Sequence, residues 1–463
     1  MTTRKVYIKC FGCQMNKLDS SLVAAALRAA GFEMTDKATD ADAVVINTCS
    51  VREHAEARVF SHLGHLKHMK KSRPGLVVAV MGCMAQRLGE SLLAHEAVNI
   101  VVGPHQIPQM PDMLTAALET NGPAVRIAVT QHIRTPDDAA AAEHLDAFET
   151  AYDSDENHIK SQAFVRIMRG CNNFCSYCVV PYVRGPEVSR PPRAIMEQIR
   201  KLADQGIQQV TLLGQTVNSY AYSAGERTYK LADLLEMASE IEGIHWLRFV
   251  TSHPGAFDNS ILNAMARLPK VCPYLHIPAQ SGSDSILAAM NRRYTAQHYL
   301  DLLAKARAIV PDIAIAGDFI VGFPGETDED FEATAALVRA ACYKNIFVFK
   351  YSPRPGTRAE QKLADSVPSE IKQQRNHALL ALQNEIAADY NSRFLGRELE
   401  VLVEGLSKKP HLNNAQEAGH PQLVGRTATD YIVVFNGPES LTGRFARIRI
   451  DQTSALTLFG RPV

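Results

Sequence analysis

The sequence lacks the long apolar runs of membrane proteins and the paired cysteines of secreted ones. No run of about 18 apolar residues occurs, which excludes an ordinary membrane-spanning helix. The first ten residues, MTTRKVYIKC, contain no apolar signal region. The nine cysteines are odd in number and do not follow a disulfide-scaffold pattern. We therefore expect a protein of the reducing cytoplasm, with no membrane partner.

An excess of charge of one sign is also missing. The chain has 49 Lys and Arg residues and 49 Asp and Glu residues, so its formal net charge is zero. Overall charge therefore gives no support to a nucleic-acid partner, and any basic surface must be local. With 46% hydrophobic and 21% charged residues, the composition is that of a globular protein. A length of 463 residues predicts two or three domains.

Three cysteines stand close together in the middle of the chain. Cys171, Cys175 and Cys178 are spaced C-x3-C-x2-C. A structural zinc site normally takes four protein ligands, so three thiolates alone do not complete one. They can bind three irons of a cubic [4Fe–4S] cluster and leave the fourth iron open for a small molecule. The alternatives are a zinc knuckle completed from elsewhere in the chain and a chance grouping.

This motif, with Tyr177 directly before its last cysteine, resembles that of the radical S-adenosylmethionine enzymes. The resemblance implies that S-adenosylmethionine chelates the open iron and that the reduced cluster cleaves it to a 5′-deoxyadenosyl radical. It also implies that Tyr177 lies close to the adenine and that an electron donor serves the cluster. The protein's task is then to position the cofactor and to exclude competing reactions.

Residues 1–134 are predicted to form an open α/β domain, because apolar runs alternate with helical patterns. A cysteine follows three of these runs directly, namely Cys13, Cys49 and Cys83. Ligands gather at the carboxyl ends of parallel strands, so the three thiols should meet at one edge of the sheet. A second three-thiolate iron–sulfur site is the sharper hypothesis, and three unrelated buried thiols are the alternative.

Cys10 competes with Cys13 for the first ligand position. Cys10 alternates with Val6 and Ile8, so it should pack on the same face of the strand as these residues. Cys13 follows Gly12, past the predicted end of the strand, where the chain turns toward the cysteine edge. The sequence therefore favours Cys13 as the ligand.

The segments around these three cysteines strongly resemble those of the methylthiotransferases: FGCQMNKLDSS, NTCSVREHAEARVFSHLG and MGCMAQ. The QMN after Cys13 points to the branch of that family that modifies N6-isopentenyladenosine in tRNA. The resemblance implies two [4Fe–4S] clusters and S-adenosylmethionine as cofactors. It further implies that sulfur from the cluster held by Cys13, Cys49 and Cys83 is inserted at C2 of the adenosine at position 37 and methylated.

A radical is required for this reaction because an aromatic C–H is too weakly acidic for a side-chain base. No side chain is therefore assigned as a catalytic acid or base. Two alternatives within the family are a methylthiotransferase acting on a ribosomal protein and one acting on threonylcarbamoyladenosine in tRNA. A more remote alternative is a non-catalytic metal-cluster protein that binds RNA.

Residues 135–157 contain eight acidic residues and no Lys or Arg, which predicts an exposed, solvated linker. Residues 158–390 are predicted to contain six strands alternating with helices, an incomplete (βα)6 barrel that resembles a radical S-adenosylmethionine core. Active sites of such barrels lie at the carboxyl ends of the strands. Three polar residues near those ends are candidates to hold S-adenosylmethionine or to order its pocket: Gln215, Gln280 and Asp318. Two other cysteines, Cys272 and Cys342, are predicted to be buried thiols.

Residues 393–463 are predicted to form a small β-barrel that resembles the TRAM module, an RNA-binding domain. Arg447 and Arg449 share one face of a strand, although solvated charges that protect a sheet edge are the alternative explanation. Arg184 and Arg190 are further candidate phosphate contacts. We thus expect a mixed α/β protein of three domains that acts on tRNA as a monomer.

Overall fold

The computed structural model describes residues 4–50, 53–120, 126–128, 146–152, 161–408 and 419–463. Its first part is an open sheet of six parallel strands in the order β2-β1-β3-β4-β5-β6, which confirms the predicted open α/β fold. The strands are β1 (Lys5–Phe11), β2 (Glu33–Met34), β3 (Ala43–Thr48), β4 (Val77–Gly82), β5 (Ile100–Val102) and β6 (Arg126–Ala128). The helices that connect them are α1 (Gln14–Ala29), α2 (Glu53–Ser72), α3 (Cys83–Leu88) and α4 (Met110–Glu119).

Helices cover both faces of this sheet. All residues of β3 and β4 are buried, as their continuous apolar sequences predict for central parallel strands. One face packs against apolar side chains of α1 and α4, including Leu27 and Leu114. The other face packs against side chains of α2 and α3, including Leu63 and Met84. This arrangement leaves the carboxyl-terminal edge of the sheet free for polar loops.

The central part contains the six strands that the sequence predicts for an incomplete barrel. Parallel strands β7 (Gln162–Arg166), β10 (Gln209–Leu213) and β13 (Trp246–Phe249) form one sheet, and β14 (Tyr274–His276), β15 (Ala314–Val321) and β16 (Asn345–Lys350) form another. An isolated bridge between Leu247 and Val271 joins their neighbouring edges. Short antiparallel pairs lie outside them: β8 (Met168–Arg169) with β9 (Val188–Ser189), and β11 (Ala221–Ala224) with β12 (Arg227–Lys230).

Helices follow these strands and enclose the largest apolar core of the molecule. They are α5 (Val180–Arg184), α6 (Pro192–Asp204), α7 (Leu231–Ser239), α8 (Asn259–Arg267), α9 (Asp284–Ala289), α10 (Ala296–Ile309), α11 (Asp328–Ala341), α12 (Arg358–Lys362) and α13 (Ser369–Asn391). Several begin at side chains that accept a hydrogen bond from the first turn, as Thr295 and Thr327 do. No described helix combines the length and the apolar character needed to cross a membrane.

The last part is a closed barrel with the strand order β17-β18-β19-β21-β20. Its strands are β17 (Glu398–Leu406), β18 (Gln422–Thr427), β19 (Ile432–Asn436), β20 (Phe445–Thr453) and β21 (Thr457–Pro462). Trp246, the first residue of β13, packs against Phe445 with ring centroids 4.8 Å apart. Lys344, directly before β16, donates to Asp430 at 3.0 Å. The small barrel therefore contacts the amino-terminal ends of the central strands.

The described part of the acidic segment is not an exposed linker, which corrects the prediction for residues 146–152. Residues 146–150 are helical, and the side chain of Glu149 is only 2% exposed. Its carboxylate pairs with Arg166 at 3.0 Å and Arg169 at 3.1 Å. Acidic residues were expected to stay in water, but here buried arginines compensate the charge. The rest of the predicted linker lies outside the described residues.

Candidate metal centres

The loop of Cys171, Cys175 and Cys178 begins directly after β8. Gly170 precedes it with a φ of +71°, and a side chain there would collide with the backbone of Pro186. The charges of Cys175 and Cys171 both act on Cys178, and burial together with these charges raises the pKa of the Cys178 thiol to about 12. Three neighbouring thiolates repel one another, and a cationic group bound between them would stabilise their charged form.

One side chain of this loop and two from other segments contact its first two thiols. Asn173 donates to the sulfur of Cys171 at 3.3 Å, and Thr216, from the loop after β10, lies 3.5 Å from the same sulfur. Arg292 donates to the sulfur of Cys175 at 3.3 Å. The sequence analysis did not identify Arg292, which lies 117 residues further along the chain. Cys171 and Cys175 are therefore contacted from two other loops of the central barrel as well as from their own loop.

The second group, Cys13, Cys49 and Cys83, follows the neighbouring strands β1, β3 and β4. The Cys13 thiol interacts with those of both other cysteines. A hydrogen bond with Cys49, aided by the charge of Arg184, lowers the pKa of the Cys13 thiol to about 6. Burial instead raises the pKa of Cys10 to about 11. Cys13 is hydrogen-bonded with another cysteine of the group, whereas Cys10 is hydrogen-bonded with Ser20, and this contact supports Cys13 over Cys10 as the ligand.

Buried amides hold the loops of this second group together. Asn16 donates to Asn47 at 2.8 Å and to the carbonyl of Thr48 at 2.9 Å. Asn47 donates back to the carbonyl of Asn16 at 2.7 Å, and Thr48 donates to the carbonyl of Met81 at 2.6 Å. Asn16 belongs to the QMN signature and also accepts from the Cys13 thiol at 3.2 Å. Asn16 thus joins the segment after β1 to the end of β3, and Thr48 joins the end of β3 to β4.

Gly82 lies directly before Cys83. Its φ is +99°, and an added Cβ would lie 2.5 Å from the carbonyl oxygen of Thr48. Only glycine therefore allows β4 to approach β3 closely and turn into α3 at the third cysteine.

Each group offers three cysteine thiols, the ligand type that iron–sulfur clusters use. No group of three His, Cys, Asp or Glu residues within the described ranges is arranged to hold one metal ion. Ligands of one zinc ion all lie about 2.0–2.3 Å from it, whereas cysteines on a cubic cluster bind different irons and stand farther apart. Two separate sets of three converging thiols fit such clusters.

The four candidate cofactor residues lie at three places in the central barrel. Tyr177 is partly buried against an apolar cluster that includes Phe323 and Tyr351. Gln215 precedes Thr216, and its buried Oε1 has no hydrogen-bond partner among the described residues. Gln280 and Asp318 lie together, because the backbone N–H of Gln280 donates to the backbone carbonyl of Asp318 at 2.8 Å. These positions remain predictions for cofactor contacts.

One of the two remaining cysteines differs from its prediction. Cys272 is buried at 2% exposure between the central barrel and the small barrel, beside Trp246 and Leu402. Cys342 is exposed instead, because the chain leaves α11 there in a left-handed conformation with a φ of +44°. Helix ends are set by capping geometry, which apolar periodicity does not reveal.

Comparison with known proteins supports the three-part organisation. The Radical SAM superfamily model matches residues 165–338, the model named Uncharacterized protein family UPF0004 matches residues 5–103, and the TRAM domain model matches residues 392–463. A tRNA-2-methylthio-N6-dimethylallyladenosine synthase of Rhodopirellula baltica is 43% identical over 460 residues, covering 99% of this chain and 95% of the relative. The chain belongs to this synthase family.

Two further synthases agree over the full length. The synthase of Delftia acidovorans is 42% identical, over 100% of this chain and 99% of its own. That of Porphyromonas gingivalis is 39% identical, over 99% and 95%. The predicted family is thereby confirmed. The radical S-adenosylmethionine domain of the synthase family implies one [4Fe–4S] cluster and S-adenosylmethionine.

A solved structure shares the fold of this synthase family member. It is the radical S-adenosylmethionine methyltransferase TsrM of Kitasatospora setae, with a TM-score of 0.56 and 15% identity. The match covers 78% of this chain and 77% of that one. At this identity the likeness concerns the fold alone.

Two of the predicted phosphate contacts of this chain are wrong. Arg184 and Arg190 are 6% and 2% exposed, and they pair with Asp19 and Asp146, respectively. A guanidinium that is buried in an ion pair cannot reach an RNA phosphate in this conformation, so neither is carried forward as an RNA contact. Their positions after the cysteine motif gave no sign of this burial.

The other two predicted RNA contacts are available to solvent. Arg447 and Arg449 are both exposed on β20. The alternate residues Ile448 and Ile450 are buried. Glu400 and Glu398 lie opposite them in register on β17. The exposed strip therefore carries both signs of charge, and its role in RNA binding remains a prediction.

An exposed aromatic pair beside the first cysteine loop escaped the sequence analysis. Phe174 and Tyr182 are 51% and 48% exposed, and their rings meet edge to face at 6.2 Å. Phe174 lies between two cysteines of the motif, and Asn291 holds its carbonyl at 2.9 Å. Its position between two cysteines could have indicated this exposure, because a side chain within a short ligand loop has few apolar neighbours to pack against.

Proposed function

We propose that this protein methylthiolates C2 of N6-isopentenyladenosine at position 37 of tRNA. The observation that carries the proposal is the presence of two converging sets of three thiols in a chain that matches tRNA-2-methylthio-N6-dimethylallyladenosine synthases over its full length. The curated relatives named above favour this substrate over a ribosomal protein or threonylcarbamoyladenosine. Because one chain supplies all six thiols, we expect a monomer to suffice.

Cys171, Cys175 and Cys178 would hold the cluster that binds S-adenosylmethionine, and Cys13, Cys49 and Cys83 would hold an auxiliary cluster. When bound, these groups supply a radical that removes the C2 hydrogen and the sulfur that replaces it, and an external donor provides the electrons. The protein's side chains position these groups. Arg292 and Asn173 fix two of the thiols through the hydrogen bonds described above.

Gln215 is the best-supported of the candidate contacts to S-adenosylmethionine. Its Oε1 is a buried acceptor without a partner among the described residues, beside a threonine that touches Cys171. An unpaired buried acceptor is costly, typically about 1–3 kcal/mol, so a bound donor would relieve that cost. The amino group of S-adenosylmethionine is such a donor.

For tRNA, we propose contacts at two separated places. Phe174 and Tyr182 stand at the mouth of the central barrel, where unstacked bases of a loop can stack on exposed rings. Arg447 and Arg449 lie on the small barrel at the opposite end of the strands. Six residues of β-strand span about 20 Å, so a ligand that reaches both places must be large, as tRNA is.

The deciding experiment analyses tRNA nucleosides from a strain that lacks this protein. We expect the 2-methylthio group to be missing from isopentenyladenosine, and to return with the wild-type gene but not with a Cys13→Ala gene. Intact 2-methylthio-isopentenyladenosine in the deletion strain would contradict the proposal. Loss of the group from threonylcarbamoyladenosine alone would favour the alternative substrate.

A further inference from the structure

The guanidinium of Arg184 connects the two sets of thiols. Arg184 ends α5, the helix that begins two residues after Cys178. Its Nε donates to the sulfur of Cys83 at 3.2 Å, and its Nη2 donates to Asp19 at 2.9 Å. Arg184 belongs to the central barrel, whereas Cys83 and Asp19 belong to the first domain.

Packing and charge hold this guanidinium in place. Its side chain is 7% exposed, and Val179 and Val183 of the same segment pack against Cys83. Asp19 is 1% exposed and is shared with a second buried arginine, Arg166. Because a buried carboxylate without partners is costly, Asp19 fixes both arginines at the domain boundary.

The group of Cys171, Cys175 and Cys178 also accepts a hydrogen bond from an arginine, but that arginine has no carboxylate partner among the described residues. Arg292 donates to Cys175 at 3.3 Å, and its other donors meet neutral oxygens of Pro278 and Tyr294 at 3.0 and 2.8 Å. One thiol of each group thus accepts from an arginine, but only Arg184 is paired with a carboxylate as well. Its charge is partly neutralised, while its hydrogen bond to sulfur remains.

We propose that Arg184 is a positioning residue of the auxiliary cluster, whose hydrogen bond to Cys83 raises the reduction potential of that cluster. The inference rests on the proposed function, in which Cys13, Cys49 and Cys83 bind a cluster. Hydrogen bonds to cluster sulfurs raise the potential because they stabilise the more negative, reduced state. The potential of the auxiliary cluster then depends on the docking of the central barrel.

The chain provides a matched control in Arg166. This residue is also buried, also comes from the central barrel and also pairs with Asp19. It differs in pairing with Glu149 rather than with a thiol. Arg166→Gln therefore removes a buried interdomain cation but leaves the hydrogen bond to Cys83 in place.

The test uses the full chain carrying Cys171→Ala, Cys175→Ala and Cys178→Ala, so that only the auxiliary cluster remains. Arg184→Gln, Arg184→Lys and Arg166→Gln are added singly to this background. For each protein we would measure iron content, the midpoint potential by a redox titration followed by EPR, and exchangeable-proton coupling to the reduced cluster by ENDOR.

We expect the triple-alanine parent to bind about four irons. Arg184→Gln should shift the midpoint to a more negative value and lose an exchangeable-proton coupling, while Arg166→Gln changes neither. Arg184→Lys, which keeps the charge without the Nε donor geometry, should also shift the midpoint negatively. If Arg184→Gln does not retain iron, the midpoint potential of Arg184→Lys provides the test of the hydrogen bond to Cys83.

Three results would overturn the inference. The first is an unchanged midpoint in the iron-bearing Arg184 variants, and the second is an equal shift in Arg166→Gln, which would assign the effect to general interdomain charge. The third is a triple-alanine parent without iron, which would refute the proposed auxiliary cluster itself. The iron content therefore separates a failure of the proposed function from a failure of the Arg184 role.

Discussion

Cys10 and Cys13 are three residues apart but lie in different electrostatic surroundings. Cys10 is part of β1, where burial raises the pKa of its thiol to about 11. Cys13 is the N-cap residue of α1, and the hydrogen bond with Cys49 lowers its pKa to about 6. Because β1 ends before Cys13, this thiol contacts Cys49, and we expect Cys13 rather than Cys10 to be the iron ligand.

Substitution of each cysteine tests this distinction. We expect Cys13→Ala to lose about four irons and all methylthiolation while still cleaving S-adenosylmethionine. Cys10→Ala should keep both clusters and most activity, with a loss in unfolding free energy on the order of 1 kcal/mol. Iron content and product formation are measured side by side. The reverse pattern would show that Cys10 is the ligand.

The pair Phe174 and Tyr182 supports a second prediction at this scale. Base stacking on an aromatic ring contributes about 1–3 kcal/mol, so Tyr182→Ala should weaken tRNA binding roughly tenfold. Tyr182→Phe keeps the ring and should retain the affinity. Both variants should bind iron and cleave S-adenosylmethionine in the absence of tRNA as the wild type does. Equal tRNA affinity in Tyr182→Ala and Tyr182→Phe would refute a stacking role.

Among whole elements, the contact between the small barrel and the central strands includes one partly buried carboxylate. Asp430, in the turn between β18 and β19, accepts from Lys344 and lies 3.7 Å from Arg248 and 3.1 Å from Arg426. Burial opposes its ionisation, yet these cations hold the pKa of Asp430 below its usual value. Its φ of +65° also suits Asp or Asn better than most residues.

Asp430→Asn should therefore destabilise the protein without distorting the turn. It leaves Lys344 and Arg248 buried without their carboxylate, which typically costs about 3–5 kcal/mol. Thermal or urea unfolding at neutral pH measures the difference, with the exposed Glu439→Gln as the control. The difference should shrink as the pH falls from the ordinary aspartate pKa of about 3.9 toward the lower pKa of Asp430, because the carboxylate is protonated first in the unfolded chain and only at lower pH in the folded protein. An equal effect of both substitutions would contradict the proposed role of Asp430.

Across the whole molecule, the two sets of thiols are linked where the first domain meets the central barrel. Cys83, the first residue of α3, packs there against Val179 and Val183 at α5. The small barrel is attached at the far end of the central strands, so the proposed chemistry and the proposed phosphate contacts are separated. Removing the small barrel would expose Trp246 and Cys272, which are buried against it. Point substitutions therefore test RNA binding better than a truncation does.

The number of clusters is the first prediction at this scale. Anaerobically reconstituted protein should carry about eight irons, because each set of three thiols serves one cubic cluster. Replacement of Cys171, Cys175 and Cys178 by alanine should leave about four. Iron analysis and absorption spectra provide the measurement. Zinc in place of iron, or four irons in the unaltered protein, would be incompatible with two clusters.

The second concerns the exposed arginines of β20. Arg447→Gln with Arg449→Gln should weaken tRNA binding and lower the slope of log affinity against log salt by about 2, because two phosphate contacts are lost. Arg193→Gln with Arg267→Gln removes the same charge from side chains that are 89% and 64% exposed on outer helices. Equal salt slopes for the two double variants would refute a specific contact at β20.

Features that depend on local pattern could be predicted from the sequence alone. Apolar runs predicted β1, β3, β4 and β5 of the first sheet and the six strands of the central barrel, but not the short strands β2 and β6. The spacing of one cysteine group and the placement of the other after strands predicted both candidate ligand sets. Strand β21 has no clear local pattern, because Gly460 and Pro462 interrupt its short apolar run. Strand period and ligand spacing are short-range properties, so they are visible in one segment at a time.

Which charged residues are buried, and what they contact, depends on the folded structure. Arg184 and Glu149 look like solvent-exposed residues in the sequence, but folding buries both in ion pairs, Arg184 with Asp19 of the first domain and Glu149 with Arg169 of the central barrel. Within the central barrel, Arg292 reaches Cys175 from 117 residues away. The burial of a charge depends on compensating partners from distant segments, and no local pattern records which segments will meet.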